Sequence, residues 1–370
     1  MRSLYSSKYS TWQDSEIYEF NKPRRQQTLA TAPELNVTPV SVVTQNVFQL
    51  PWFMTTYYKW FDRSSNMGTC TNQEKRADIF IEQTAKHDIV ALQEMWGANM
   101  KKIRDALQEQ QFRMPSQLTE HIVDGKFSDY YNHKAVNEKQ TGGLFFGAKM
   151  PIIWYRHHKF DYDNAEENLN KGVGFALLDM DHYWEGKYLL ICNVHLFSGG
   201  KHEDRIERQH QREEINEELI AIHKEQLYPL GFSWDNCGVI LVGTFNAPYY
   251  RHDRTGRTQE YLRIMNDFAP RAGATQDFYI NNHPDKHRAH TFDFIHNRYV
   301  DQRLQDESGR VDYILGLNSI PRGGGMRTNT MPLHALECDI IPSNVYDPQV
   351  AESSDHFAVY AKLVPSDMYI

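Results

Sequence analysis

The stretch Gly238-Val239-Ile240-Leu241-Val242-Gly243-Thr244-Phe245-Asn246 joins a fully apolar run to a polar motif. The run Gly238–Val242 predicts a strand that is covered on both faces, because it offers no polar side chain to water. Open sheets place their functional groups beyond the ends of strands. Thr244 and Asn246, at the end of this strand, are therefore candidate site residues.

Other polar motifs begin or end apolar runs in the same way. They are Gln45-Asn46-Val47, Leu92-Gln93-Glu94, Asn193-Val194-His195-Leu196, Val311-Asp312-Tyr313 and Ser354-Asp355-His356. Amide and carboxylate oxygens combined with two histidines are the groups that a divalent-metal phosphodiesterase needs. We therefore predict that one cleft collects Asn46, Glu94, His195, Asn246, Asp312, Asp355 and His356.

Strands and helices alternate from Val40 onward, and no linker rich in Gly, Ser or Pro divides them. The apolar runs predict strands at Val40–Phe48, Ile89–Gln93, Leu144–Phe146, Ile152–Tyr155, Gly174–Leu178, Tyr188–Leu196, Gly238–Val242, Val311–Leu315 and Phe357–Leu363. Helical periodicity predicts helices at Lys75–Lys86, Asn99–Gln111, Glu203–Glu225 and Thr258–Asn266. We interpret Arg205–Gln209 as a solvated helix face and Pro321–Gly325 as a flexible loop. One domain over residues 39–370 follows.

Residues 1–38 differ from this domain, because they are polar and show neither helical nor strand period. Such a segment cannot bury enough apolar surface to fold alone. We predict an extended arm that packs on its own domain or is ordered by a protein partner. Its anchors would be the aromatic residues Tyr5, Tyr9, Trp12, Tyr18 and Phe20.

The composition limits the possible functions. The 370 residues are 40% hydrophobic and carry a net charge of -8, which disfavours broad binding of a polyanion such as nucleic acid. The sequence contains neither an apolar run long enough to span a membrane nor a secretory signal. Among the four cysteines, Cys192 and Cys237 lie in apolar runs and indicate buried thiols. A reducing, cytoplasmic location is expected.

Two pairs of residues carry most of the predicted chemistry. Asn46 and Glu94 offer hard oxygens of the kind that Mg²⁺ prefers, although a lone glutamate after a strand is more often a surface residue. Asp312 is a natural orienter for His356, which would act as a base or as a hydrogen-bond donor. Thr244 stands where a carboxylate would activate water, and its hydroxyl is not a base near neutral pH. Loss of such a base costs roughly 10²–10⁴ in rate.

With these motifs in order, the chain from Val40 to Leu363 resembles the endonuclease/exonuclease/phosphatase superfamily, and within it the neutral sphingomyelinase branch. Further stretches carry the likeness to that branch. They are Gln49-Leu50-Pro51, Lys75-Arg76-Ala77, Leu92-Gln93-Glu94-Met95-Trp96, Thr141-Gly142-Gly143, Asn168-Leu169-Asn170-Lys171-Gly172 and Thr291-Phe292-Asp293. The resemblance implies an α/β four-layer sandwich, in which two central, mostly antiparallel β-sheets are flanked by helices.

The resemblance also implies roles for the candidate residues. Asn46 and Glu94 would hold the catalytic Mg²⁺, and His195 and Asn246 would contact the scissile phosphate. His356, oriented by Asp312, would be the general base or the transition-state donor, and Asp355 would add a second acidic contact. The family has aspartate where this chain has Thr244, so weak or absent Mg²⁺ binding is expected.

The sequence is compatible with three functions. The leading one is a Mg²⁺-dependent phosphodiesterase of the neutral sphingomyelinase type, which binds a phospholipid or sphingolipid head group and releases phosphocholine. The alternative is a catalytically retired member of the fold that serves as a binding or scaffold protein in an assembly. A nuclease is the second alternative. The aromatic segment Leu50–Phe61 follows the first motif and would either touch a membrane surface or form a buried wall of the core or of a partner interface.

Overall fold

Most of the predicted strands belong to one of two sheets. The computed structural model describes residues 37–49, 73–96, 99–115, 142–161, 171–224, 232–250, 256–268, 275–284, 290–293, 297, 309–341 and 354–369. These residues belong to one compact unit, Val37–Tyr369. The predicted arm up to residue 36 and the aromatic segment Leu50–Phe61 lie outside the described residues, so the predictions made for them stay predictions.

The first sheet has five strands in the order β12-β13-β1-β2-β3. Its strands are β1 (Val40–Gln49), β2 (Ile89–Met95), β3 (Phe145–Ala148), β12 (Leu333–Ile341) and β13 (Ala358–Pro365). Only β1 and β2 run parallel within this sheet. Helices α1 (Gln73–Thr84) and α2 (Met100–Glu109) pack their apolar residues against one face of this sheet.

The second sheet has six strands in the order β4-β5-β6-β7-β9-β8. Its strands are β4 (Ile152–Lys159), β5 (Gly172–Asp179), β6 (Tyr188–His195), β7 (Cys237–Thr244), β8 (Thr275–Asp277) and β9 (Asp312–Leu317). Every residue of β7 is buried, as its apolar run predicts, and both Cys192 and Cys237 are buried free thiols. Helices α3 (His202–Ile222) and α4 (Gln259–Asp267) cover one face, and the short α5 (Phe278–Asn282) follows β8.

The two sheets pack face to face, because β1 and β2 contact strands β6, β7 and β9 of the other sheet. Together with the flanking helices they form the predicted α/β sandwich of two mostly antiparallel sheets, and that prediction is confirmed. No helix of the described chain is both long enough and apolar enough to cross a membrane.

A pair of buried amides joins the two sheets close to the predicted site. The Gln93 side chain donates from Nε2 to Asn193 Oδ1 over 2.7 Å, and Asn193 Nδ2 donates to the carbonyls of Leu92 and Phe145. Gly243 (φ +127°) makes room for this contact, because a side chain there would lie 2.1 Å from Val194 O and 3.1 Å from Gln93 Nε2. Gln93 and Asn193 thus link the two sheets close to Glu94 and His195.

Two interpretations from the sequence are wrong. Pro321–Gly325 is not a flexible loop: it contains the end of β10 (Ser319–Gly323) and the turn to β11 (Met326–Asn329), where Gly323, Gly324 and Gly325 take positive φ values suited to a tight turn. Glycine triplets occur both in flexible loops and in tight turns between strands, so the sequence could not distinguish the two.

The segment Arg205–Gln209 is not wholly a solvated face either. Arg208 is 1% exposed and pairs with Glu260 of α4 through two bonds of 2.6 and 3.0 Å. Its Nη1 donates to the carbonyls of Phe197 and Gly199. The ion pair with Glu260 compensates for the removal of the Arg208 charge from water. The two carbonyl hydrogen bonds hold the segment that follows His195 in place.

Candidate active site

Strand register places three of the candidate residues side by side at one end of the six-stranded sheet. Thr244, the last residue of β7, pairs with His195 at the end of β6 and with Asp312 at the start of β9. Directly paired residues point to the same face of a sheet. All three side chains are completely buried, so they form the floor of the candidate site.

His356 and Asp312 form a close pair on this floor. His356 Nδ1 lies 2.8 Å from Asp312 Oδ2, and the Phe292 ring packs 5.0 Å from the imidazole, centroid to centroid. The Thr291 hydroxyl accepts hydrogen bonds from the backbone N–H groups of Val311 and Asp312. The Thr291–Phe292 segment, which the sequence did not assign to the site, therefore holds both members of the pair.

Thr244 is bonded to the same aspartate. Its Oγ1 donates to Asp312 Oδ1 over 2.6 Å and lies 3.3 Å from Gln93 Oε1. The hydroxyl at the position of the expected base is thus already committed within the protein.

Glu94 and Asn46 lie on the five-stranded sheet, on the opposite side of the site. Asn46 Nδ2 donates to Glu94 Oε1 over 2.8 Å, and Glu94 takes a left-handed φ of 56°, which is uncommon for a residue other than glycine. Burial, followed by the charge of Asp355, raises the pKa of Glu94 to about 7. Burial also raises the pKa of Asp355 itself.

His195 links the two halves of the site. Its Nε2 lies 3.5 Å from Glu94 Oε1, and the Trp96 ring stands 6.3 Å from the imidazole between centroids. Among the described residues, neither ring nitrogen of His195 has a hydrogen-bond partner of normal length. Burial, with the charges of Lys171 and His356, lowers the pKa of His195 well below its usual value, so the ring is neutral.

Asn246 follows β7 and Lys171 precedes β5, and both side chains approach the Leu196 carbonyl just after β6. Asn246 (φ 52°) is half-buried and donates from Nδ2 to Leu196 O over 2.8 Å. Lys171 is 2% exposed, and its Nζ lies 3.5 Å from the same carbonyl. The sequence prediction did not include Lys171 in the site, although the Lys-Gly pair at 171–172 was a signal for it.

The structure brings together most of the residues predicted for the cleft, and Asn246 approaches them through its hydrogen bond to the Leu196 carbonyl. Contacts run from Asn46 through Glu94 to His195, and from Thr244 through Asp312 to His356. Asp355 precedes His356 and accepts from the Ser354 hydroxyl. The catalytic and metal-binding roles of these residues stay predictions.

The oxygens on the Glu94 side are of the type that Mg²⁺ prefers, although Asn46 Oδ1 accepts from Phe48 N–H and Asn46 Nδ2 faces Glu94 in this structure. No three His, Cys, Asp or Glu side chains of the described residues are grouped as a metal site. Burial first, and the charge of Asp355 second, raises the pKa of Glu94, and a cation bound beside it would favour the charged carboxylate. Thr244 is not part of this group, since its proton is given to Asp312.

His356 makes the unfolding free energy dependent on pH. Burial alone would lower its pKa, but the charge and hydrogen bond of Asp312, with the charges of Asp355 and Glu94, raise it from 6.5 to about 9. A raised pKa in the folded state means that the stabilisation is complete below pH 6.5 and is lost as the pH rises through 9.

We therefore expect stability to fall between pH 7 and 9.5 in metal-free buffer, by an amount on the order of 3 kcal/mol. Urea unfolding at several pH values measures this. The His356→Asn variant keeps a donor for Asp312 but cannot titrate, so its curve should be flatter over the same interval. Parallel curves for the two proteins would contradict the predicted coupling.

Comparison with solved structures identifies the fold. SmcL aligns at 16% identity with a TM-score of 0.57, sphingomyelinase C from Streptomyces griseocarneus at 18% and 0.53, and D. rerio TDP2 complexed with single strand DNA product at 15% and 0.52. Each alignment covers 88% of this chain and 99% of the other. No protein-family model and no curated protein matches the sequence. At these identities the likeness shows the fold alone, which is the endonuclease/exonuclease/phosphatase fold predicted from the motifs.

Proposed function

We propose that this protein is a Mg²⁺-dependent phosphodiesterase of the neutral sphingomyelinase type, slow because Thr244 replaces the usual base. Its substrate would be a sphingolipid, from which it releases phosphocholine. The observation that carries the proposal is the joining of Glu94, His195, Asp312 and His356 in one polar site between two sheets. Each of these polar groups costs free energy when it is removed from water, so their concentration in one place favours a functional site.

The protonated imidazole of His356 would supply most of the positive charge beside the leaving alkoxide. Its Nδ1 is held by Asp312, so Nε2 is left to donate a proton to a phosphate oxygen or to the leaving alkoxide. Asn246 Nδ2 uses one hydrogen for Leu196 O and retains the other for the phosphate. The Lys171 ammonium adds positive charge near the same position.

Glu94 and Asn46 would hold the Mg²⁺ ion. When bound, the metal supplies a Lewis acid that neutralises charge on the phosphate and lowers the pKa of a bound water molecule. Because this chain contributes few charged ligands, its affinity for the metal should be low.

The decisive experiment measures hydrolysis of labelled sphingomyelin in mixed micelles with and without Mg²⁺. The Glu94→Gln variant keeps the shape of the side chain and the contact with Asn46, but it lacks the charge. We expect a loss of roughly 10²-fold or more at subsaturating Mg²⁺, because the ligand charge sets the metal affinity.

Glu337→Gln is the matched control, because Glu337 lies on the edge strand β12 and forms an exposed ion pair with Lys362 of β13. It should behave like the wild type. Metal-independent hydrolysis that is unaffected by Glu94→Gln would refute the proposed function.

A retired enzyme acting as a binding protein is the second candidate. The commitment of the Thr244 hydroxyl to Asp312 favours it, because no group at that position is left to activate water. Binding of sphingomyelin vesicles without turnover at any Mg²⁺ concentration would support this alternative. Cleavage of a single-stranded oligonucleotide in preference to the lipid would instead favour the nuclease, a reading prompted by the likeness to D. rerio TDP2.

A further inference from the structure

Thr244 occupies a position in which its hydroxyl has only one possible hydrogen-bonding role. The nearby atoms are Asp312 Oδ1 at 2.6 Å and Gln93 Oε1 at 3.3 Å. The Gln93 amide is oriented by its Nε2, which donates to Asn193 and Thr44. Both neighbours of the hydroxyl are therefore acceptors, and Thr244 must be the donor.

The single proton goes to the aspartate. The contact with Asp312 is the shorter of the two, and 2.6 Å is the length expected for a hydroxyl that donates to a charged carboxylate. The other oxygen of the same carboxylate faces His356 Nδ1 at 2.8 Å. Asp312 is thus held from both sides, and its orientation fixes that of the imidazole.

A carboxylate at position 244 would change this arrangement. Two carboxylates within hydrogen-bonding distance repel each other, which raises the pKa of one of them, so they would share a proton until the pH exceeds that pKa. Threonine avoids the repulsion and leaves the whole negative charge on Asp312, next to His356.

We infer that Thr244 is a positioning residue: its hydroxyl donates to Asp312 and thereby aligns the Asp312–His356 pair toward the substrate phosphate. The inference rests on the proposed function for its catalytic consequence, but the hydrogen-bond arrangement is testable without turnover. The site then acts mainly through an acid, and it suits phosphodiesters whose leaving alcohol needs a proton.

The first test uses nuclear magnetic resonance of the histidine side chains. The Nδ1 proton of His356 is identified by its absence in His356→Asn. We expect Thr244→Val, which removes only the donor, to shift or abolish this resonance, and Thr244→Ser, which restores a hydroxyl, to bring it back. Thr275→Val is the control, because Thr275 is a buried threonine of the same sheet whose hydroxyl has no partner among the described residues.

The second test measures hydrolysis. Thr244→Val should lower kcat about ten-fold with little change in KM, the effect expected when a hydrogen bond to a charged group is lost. In a His356→Asn background the same substitution should have almost no further effect. A ten-fold loss in both backgrounds would show a purely structural role and overturn the inference.

The outcomes separate this inference from the proposed function. An unchanged His356 resonance in Thr244→Val refutes the positioning role whatever the activity. A shifted resonance in a protein without hydrolysis upholds the hydrogen-bond arrangement and refutes the phosphodiesterase. If Thr244→Val fails to fold, the pair Thr244→Ala and Thr244→Ser gives the same comparison.

Discussion

Replacing His356 with asparagine is expected to lower sphingomyelin hydrolysis by roughly 10²–10⁴, the range for removal of a positioned proton donor. The pKa of about 9 keeps the imidazole protonated at neutral pH, so it can donate at Nε2 while Asp312 holds Nδ1. Asparagine still donates to Asp312 but cannot transfer a proton. Initial rates at saturating Mg²⁺ measure the loss.

His283→Asn is the matched control for this substitution. His283 is also a buried histidine, and its Nε2 lies 2.9 Å from Cys338 O, on the edge strand β12. Replacing it should leave the rate close to that of the wild type, provided that thermal unfolding shows a folded protein.

The leaving group tests the role of His356 as an acid. A p-nitrophenolate group leaves without protonation, so bis(p-nitrophenyl) phosphate should lose much less activity than sphingomyelin in the His356→Asn variant. An equal loss with the two substrates would assign His356 to phosphate binding or to the role of base. An unchanged rate with sphingomyelin would remove it from the mechanism.

Local patterns in the sequence were sufficient to predict the floor of the site. His195 and Thr244 are the last residues of β6 and β7, and Asp312 is the first of β9. A polar residue that ends or begins a buried apolar strand lies where the strands of the sheet end, so the sequence identifies these positions. Asn46 is less regular, because it lies inside β1 at a register shift and not at the strand end.

Contacts between distant segments could not be predicted in this way. The burial of Arg208 depends on Glu260, which belongs to another helix. The support of Asp312 by Thr291 joins two segments through backbone hydrogen bonds that leave no periodic signal in the sequence.

The edge strand β12 was missed for a related reason. It alternates buried and more exposed residues irregularly, and a register shift interrupts its pairing with β13. Periodicity alone therefore could not identify this strand.

Replacing Thr244 with aspartate is expected to raise hydrolysis by roughly 10²-fold, the scale of a positioned general base. The new carboxylate would lie next to Asp312 and share a proton with it, which raises its pKa. The gain should therefore be small at acidic pH and increase as the pair loses its proton. Rates measured from pH 5 to 9 should therefore rise with pH in Thr244→Asp along an additional limb of the pH–rate profile that the wild type lacks.

Thr244→Asn is the matched control, because asparagine has the shape of aspartate but is not a base. It should show neither the gain nor the new limb. If Thr244→Asp also shows no gain, while Glu94→Gln still abolishes metal binding, the remaining residues form a binding site that restoring the base does not reactivate. The retired enzyme would then be the better description, since Glu94, His195, Asp312 and His356 also hold each other in place through the contacts seen here and can persist for stability alone.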